Sequence, residues 1–393
     1  MATKKINHAS RKHALLSASG ASRWMGCTPS ARLEEKFPDK TSEYAEEGTL
    51  AHEMADLELR HKLARISDKV YASELKKLKK HRLYGADMDG EVEKYVTIVL
   101  EAYQEALART PDAVLLLEQR LDFSHLVEKG FGTGDVVIIA DGVVEVIDLK
   151  YGRGVQVDAP NNPQLMLYGS GALREYELLY DIQSIKLTIV QPRKNHLSSW
   201  EISAEDLESW GEEQVRPKAE AAYLGDGEQT PGDWCKFCKA KHVCRALAEQ
   251  NMALAKYDFR DPQVLSDEEL LAIFKQLPVF SDWANSISSY ILDEALKGKQ
   301  WKGYKIVEGR SVRKWLDDEK VIDKLKEEGF EADKFMVAKL AGIGAVEKLV
   351  GKGKFPAMMQ DLIIKPQGAP TLVEESDKRP AMGLAQAKED FKK

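Results

Sequence analysis

Between residues 114 and 190 the hydrophobic period of this chain changes twice, and that change limits its fold more tightly than any other feature of the 393 residues. Residues 114–121, 135–140 and 143–149 are short runs rich in aliphatic and β-branched side chains, the pattern of buried strands. Asp141-Gly142 separates the last two, a strong hairpin signal. Asn162-Pro163 then supplies an N-cap and a first-turn proline for a helix to about residue 177, and residues 185–190 read as a fourth strand closed by Pro192. Upstream, residues 43–62 and 90–108 read as helices. In the second, Val92, Tyr95, Val96, Val99 and Leu107 recur at helical spacing. The order α-β-β-β-α-β predicts an α/β class with a mixed-sheet core.

The rest of the chain is expected to add helices. Residues 203–224 read as helical, Ser266 and Glu269 are spaced as a capping box, and residues 266–276 and 284–297 are amphipathic. A short strand at 304–307 and further helices to about 362 follow, and no fixed-period repeat is present. A single core rarely grows past about 250–300 residues. The expected division is 1–255 for the sheet-containing domain, 256–364 for a mainly helical one, and 365–393 for a flexible tail with Pro366, Gly368, Pro370 and Pro380.

Charged residues at 31% and hydrophobic ones at 43% describe an ordinary globular chain. A net charge of −7 argues against passive coating of nucleic acid, which is driven by a cationic surface. Two local basic stretches remain, Lys76, Lys77, Lys79, Lys80 and Arg82, and Lys236, Lys239, Lys241 and Arg245; each reads first as a solvated helix face. No run of about 18 apolar residues occurs, and the polar, basic residues 1–12 carry no apolar stretch, so neither a membrane span nor a secretory signal is expected. In the cytoplasm thus expected, the four cysteines would be ligands or core residues rather than disulfides.

The hairpin brings Asp135 near Asp148 and Lys150. Residues at i and i+2 of a strand share a face, which pairs Asp148 with Lys150. Two carboxylates beside a lysine suit phosphodiester hydrolysis: oxygen ligands hold Mg²⁺ or Mn²⁺, and the ammonium steadies water or developing charge. An Asp-x-Lys triplet alone is weak evidence and reads first as a surface ion pair at a strand end.

Gly132-Thr133-Gly134-Asp135 followed by Asp148-Leu149-Lys150 resembles the PD-(D/E)XK nuclease superfamily, whose restriction-endonuclease-like core has the same element order. The RecB-type branch adds a helical Gly-x-x-x-His, matched by Gly48 and His52, and a Gln-x-x-x-Tyr, matched by Gln164 and Tyr168. The resemblance implies that His52, Asp135, Asp148 and the main-chain carbonyl of Leu149 bind the metal. Lys150 would position the attacking water, while Gln164 and Tyr168 would orient Lys150 or touch DNA. An imidazole ligand tilts the preference toward Mn²⁺. Glu47 and Glu118 rank below these, as an exposed helix charge and a strand-edge charge. The Gly130–Gly134 run lacks the Gly-Lys-Ser/Thr ending of a phosphate loop.

Cys235, Cys238 and Cys244 stand close together, with Cys27 far upstream. The pattern resembles the iron–sulfur nucleases of the RecB-type branch, with one cysteine before the nuclease core and three after. It implies a [4Fe–4S] cluster that clamps the two ends of the domain, with a Cys₄ zinc site as the alternative.

Farther on, Lys339–Ala345 reads as a helix-hairpin-helix turn or as an ordinary glycine-containing helix connection, and Trp301, Tyr304, Arg310, Arg313, Lys314 and Trp315 mix basic and aromatic groups. Over roughly residues 10–250 the arrangement resembles an uncharacterised phage-associated nuclease family. That implies an exonuclease or end-processing enzyme acting on DNA, with phage replication or recombination proteins as partners, in a bacterial host. The alternative is a non-catalytic DNA-binding or replication-assembly module on the same fold.

Overall fold

The computed structural model describes residues 14–38, 42–253, 267–309, 313–336, 340–351, 353–366 and 368–382. Ser266, Arg310 and Lys339 lie outside them. The chain forms two compact units, Met1–Phe280 and Ser281–Lys393.

In the first unit, α1 (Ala21–Gly26), α2 (Ser30–Glu34), α3 (Glu43–Lys62), α4 (Asp68–Leu78) and α5 (Met88–Arg109) precede the sheet. Ser42 opens α3 by accepting a hydrogen bond from Ala45 N–H. The strands are β1 (Val114–Asp122), β2 (Phe131–Ala140), β3 (Val143–Leu149), β4 (Ser184–Gln191) and β5 (His196–Ser203), in that spatial order. β3 and β4 run parallel and every other pair antiparallel, so the fold is α/β with a mixed five-stranded sheet. Between β3 and β4 lies α6 (Pro163–Tyr176), where the Asn162 side chain accepts from Gln164 and Leu165 N–H. That N-cap sets the helical phase of Gln164. The α-β-β-β-α-β order expected from the sequence is present.

Both faces of the sheet are covered, which is why β2 is buried continuously from Val136 to Ala140. Val137, Ile139, Val144 and Val146 pack with Leu165 and Tyr168 of α6, while Val136, Ile138, Ile147 and Leu149 pack with Met54 of α3 and Val92, Tyr95 and Val99 of α5. Each such aliphatic side chain contributes about 1.5–3 kcal/mol by leaving water.

Two differences from the sequence reading bear on the site. β2 begins at Phe131, so Asp135 sits inside the strand rather than at its start; Gly132-Thr133-Gly134 shows no apolar signal and becomes strand only by pairing with β1. β5 was not expected, because it is an edge strand whose residues alternate between half-buried and exposed, with polar Ser198, Ser199 and Glu201 among them. After it, α7 (Ala204–Trp210), a short π-helical turn, α8 (Arg216–Leu224) and α9 (Arg245–Met252) return toward the N-terminal helices.

α10 (Asp267–Leu296) leads into the second unit, where β6 (Tyr304–Glu308) pairs with β9 (Pro370–Glu374) and β7 (Lys314–Trp315) with β8 (Ile363–Ile364). α11 (Asp318–Glu327), α12 (Ala332–Phe335), α13 (Ile343–Val350) and α14 (Phe355–Met359) surround a core that includes Val321, Leu325, Phe335, Val346 and Met359. Gly342 is the N-cap of α13. β9 falls in the stretch expected to be loose, since a long-range strand pairing leaves no trace in composition. Among the described residues, no helix is long and apolar enough to cross a membrane.

Gly132 is a close-approach position: a Cβ there would lie 2.5 Å from the Tyr168 ring. Gly132→Ala is therefore expected to lower stability by about 1–3 kcal/mol through overpacking. Denaturant titration checks this, and an unchanged midpoint would mean that Tyr168 can swing aside.

Candidate active site

β2, β3, α3 and α6 bring most of the sequence-marked residues together. Continuing the β2–β3 register by one residue sets Asp135 opposite Asp148. Asp148 is 3% exposed. Lys150 Nζ lies 2.8 Å from its Oδ2, and Gln164 Nε2 donates to its Oδ1 over 2.9 Å. Lys150 Nζ also donates to Gln164 Oε1 (3.0 Å), so the glutamine grips both ends of the ion pair. Tyr168, one turn along α6, lies with its hydroxyl 3.5 Å from Gln164 Nε2. The Lys150 ammonium is the partner of Asp148 Oδ2, and among the described residues no other donor reaches that buried oxygen.

On the other side, His52 Nδ1 lies 3.1 Å from Asp135 Oδ1, and Leu149 N–H donates to Asp135 Oδ2 over 2.7 Å. Donor atoms of His52, Glu118 and Asp135 all lie within 4.8 Å of one another. Glu118, ranked low from the sequence, thus joins His52 and Asp135, whereas Glu47 pairs with Arg193 at 2.9 Å. Glu118 holds φ 48° within β1, a left-handed conformation that costs a non-glycine residue of order 1–3 kcal/mol. Tyr95, Asp56 and Leu149 line the same small pocket. Asp56 is one helical turn beyond His52, a spacing that could have marked it; Tyr95 was legible only as part of an apolar helix face. A Cβ at Gly48 would meet nothing within 4 Å, so packing does not require glycine there.

The electrostatics follow from crowded carboxylates. Burial and the charge of Asp135 push the Asp148 carboxyl up, and Lys150 opposes them. Desolvation and then Asp135 raise Glu118 to about 7 although its residue is exposed overall. Burial alone would depress His52, but the charge and hydrogen bond of Asp135, with Asp148 behind, outweigh it and raise the imidazole to about 9. The site is short of positive charge and holds a proton on His52 in compensation. The imidazole of His52 and the carboxylates of Glu118 and Asp135 supply a donor set that fits Mg²⁺ or Mn²⁺.

All four cysteines line a second space, together with Arg23, Ser30 and Trp234. Burial raises the Cys27 and Cys235 thiols and pushes Cys238 up to about 12, with neighbouring thiols adding to each. Lining one space is what a thiolate-bound centre would require of the four cysteines. The surrounding segments are already joined: Thr28 Oγ1 donates to Asp226 O, Arg32 Nε to Tyr223 O, and Lys239 N–H to Glu34 Oε1. The Trp234 ring lies where Cβ atoms at Gly26 and Gly232 would be. In the first basic stretch, Lys77 pairs with Glu74, Lys79 with Asp89, and Arg82 with Glu43 and Glu46, so much of its charge is met by acids of the chain itself.

Because folding raises His52 from 6.5 to about 9, the stability it contributes is complete below pH 6.5 and is lost as pH rises through about 9. With metal removed by chelation, the unfolding midpoint is expected to fall over that window, and His52→Asn to flatten the fall. Parallel pH profiles for the two proteins would refute the pairing.

Among solved structures, a candidate exonuclease from Eubacterium rectale is 11% identical and covers 69% of this chain and 98% of its own, with a TM-score of 0.34. The structure of SSO0001 is 17% identical and covers 51% of this chain and 96% of its own, with a TM-score of 0.23. Likeness of that size does not bear on activity. Sequence kinship is broader, and by a match over residues 13–380 the chain belongs to the DUF2800 family, described as a protein of unknown function.

Proposed function

We propose that the chain is a metal-dependent deoxyribonuclease of the PD-(D/E)XK type, RecB-like branch, hydrolysing phosphodiester bonds. The observation that carries this reading is the convergence of His52, Glu118 and Asp135 beside the Asp148–Lys150–Gln164 network. His52, Glu118, Asp135 and Asp148 would hold Mg²⁺ or Mn²⁺, with the Leu149 carbonyl as a further ligand. Bound there, the cation polarises the phosphate and acidifies a water. Lys150, fixed by Gln164 Oε1, orients the attacking water or offsets charge on the phosphate. Gln164 keeps Lys150 from collapsing wholly onto Asp148, and Tyr168 buttresses Gln164. We place the activity in exonuclease or end-processing steps of phage or prophage DNA replication and recombination, in the bacterial cytoplasm.

The assay is digestion of end-labelled single- and double-stranded DNA with and without Mn²⁺ or Mg²⁺. Asp148→Ala and Lys150→Ala are each expected to lower the rate by at least about 10²-fold, the scale on which loss of a positioned acid–base or electrostatic group is felt. Undiminished cleavage in both variants would sink the site, and folded wild type that binds DNA without cutting it would favour a non-catalytic module.

The same reading assigns Cys27, Cys235, Cys238 and Cys244 to a [4Fe–4S] cluster, with zinc as the competing occupant. Its role would be mechanical, joining α1 to the segment that follows α8. Anaerobically purified protein is expected to be brown and to contain iron, and Cys235→Ala to melt at a lower temperature while its residual folded fraction still cuts DNA. Stoichiometric zinc without iron would overturn the cluster, and a stably folded but inactive variant would overturn the staple.

A further inference from the structure

We propose that Tyr95 is a positioning residue of the cation site, its hydroxyl hydrogen-bonding the hydration shell of a divalent cation held by His52, Glu118 and Asp135. The inference rests on reading that cluster as a cation site. Tyr95 lies on α5, is 1% exposed, and its hydroxyl oxygen is buried without a hydrogen-bond partner. A buried hydroxyl left unpaired lowers stability, and phenylalanine would fill the same volume without that cost. The hydroxyl therefore needs a partner that the described residues do not supply.

The surroundings indicate which partner. Tyr95 lines one pocket with His52, Asp56, Glu118, Asp135 and Leu149, and the charges acting on it are the carboxylates of Asp135, Asp148, Glu118 and Asp56. Asp56 is already engaged by Arg60 at 2.8 Å. The space among these residues is about 10 Å³, at the lower limit for one water. Mg²⁺ and Mn²⁺ keep some of their waters when carboxylates bind them, and a phenol can donate to or accept from such a water. The position is also rigid: Val92, Val96 and Val99 of the same helix are fully buried against the sheet. A hydroxyl so fixed can choose where a water of the shell sits, and thereby the face that the cation turns to substrate.

The test is Mn²⁺ titration, by calorimetry or by the spin-resonance signal of free Mn²⁺, of the metal-stripped full chain as wild type, Tyr95→Phe and Asp135→Asn. Tyr95→Phe is expected to melt, without metal, at or above the wild-type temperature and to bind Mn²⁺ about tenfold or more weakly, the usual effect of losing an outer-shell partner. Unchanged affinity in Tyr95→Phe, with binding lost in Asp135→Asn, overturns the role of Tyr95 alone. A lowered metal-free melting temperature in Tyr95→Phe also overturns it, assigning the residue to packing. Wild type that does not bind Mn²⁺, or Asp135→Asn that binds as tightly as wild type, removes the cation site and this inference with it.

Discussion

Asp148 is a carboxylate carried into a sheet that is covered on both faces, and much of the local architecture compensates for that burial. An isolated buried charge is costly enough that a carboxyl normally takes up a proton or finds a partner. Here Lys150 supplies the countercharge from two residues away, and Gln164, reaching from α6, accepts from the ammonium while donating to the carboxylate. The Asn162 cap and Pro163 fix where α6 begins, which fixes where Gln164 points. Gly132 leaves room for Tyr168 to pack beneath it.

A second group of acids shows the same tension from the other side. Asp135 is satisfied by His52 and by Leu149 N–H, yet Glu118 approaches the same atoms and holds a left-handed backbone to do so. Strain of this sort persists only where the surrounding structure enforces it, and such positions gather at functional sites. The protonated His52 then acts as the local substitute for a cation. A divalent ion bound there, as proposed, would replace that proton and meet carboxylates that repel one another.

The cysteine region solves a different problem. Thr28, Arg32 and Glu34, in or beside α1 and α2, bond to residues about two hundred positions later, and bringing such distant segments together costs closure entropy. Polar ties from Thr28, Arg32 and Glu34 already close this loop. A metal centre bound by the four cysteines, as proposed, would add a further tie across the same closure.

The sequence by itself determined the element order, the α6 start and the nearness of Asp148, Lys150, Gln164 and Tyr168, because those depend on local periodicity, caps and short spacings. It also marked His52 and Asp135, through motif order rather than through any local physical signal. Tertiary structure alone decided that Glu118 and not Glu47 meets His52, that Tyr95 lines the same pocket, that β5 forms, and that residues 370–374 pair with β6. Those outcomes depend on which strand lies beside which helix and on backbone angles set by distant packing. No window of sequence contains that information.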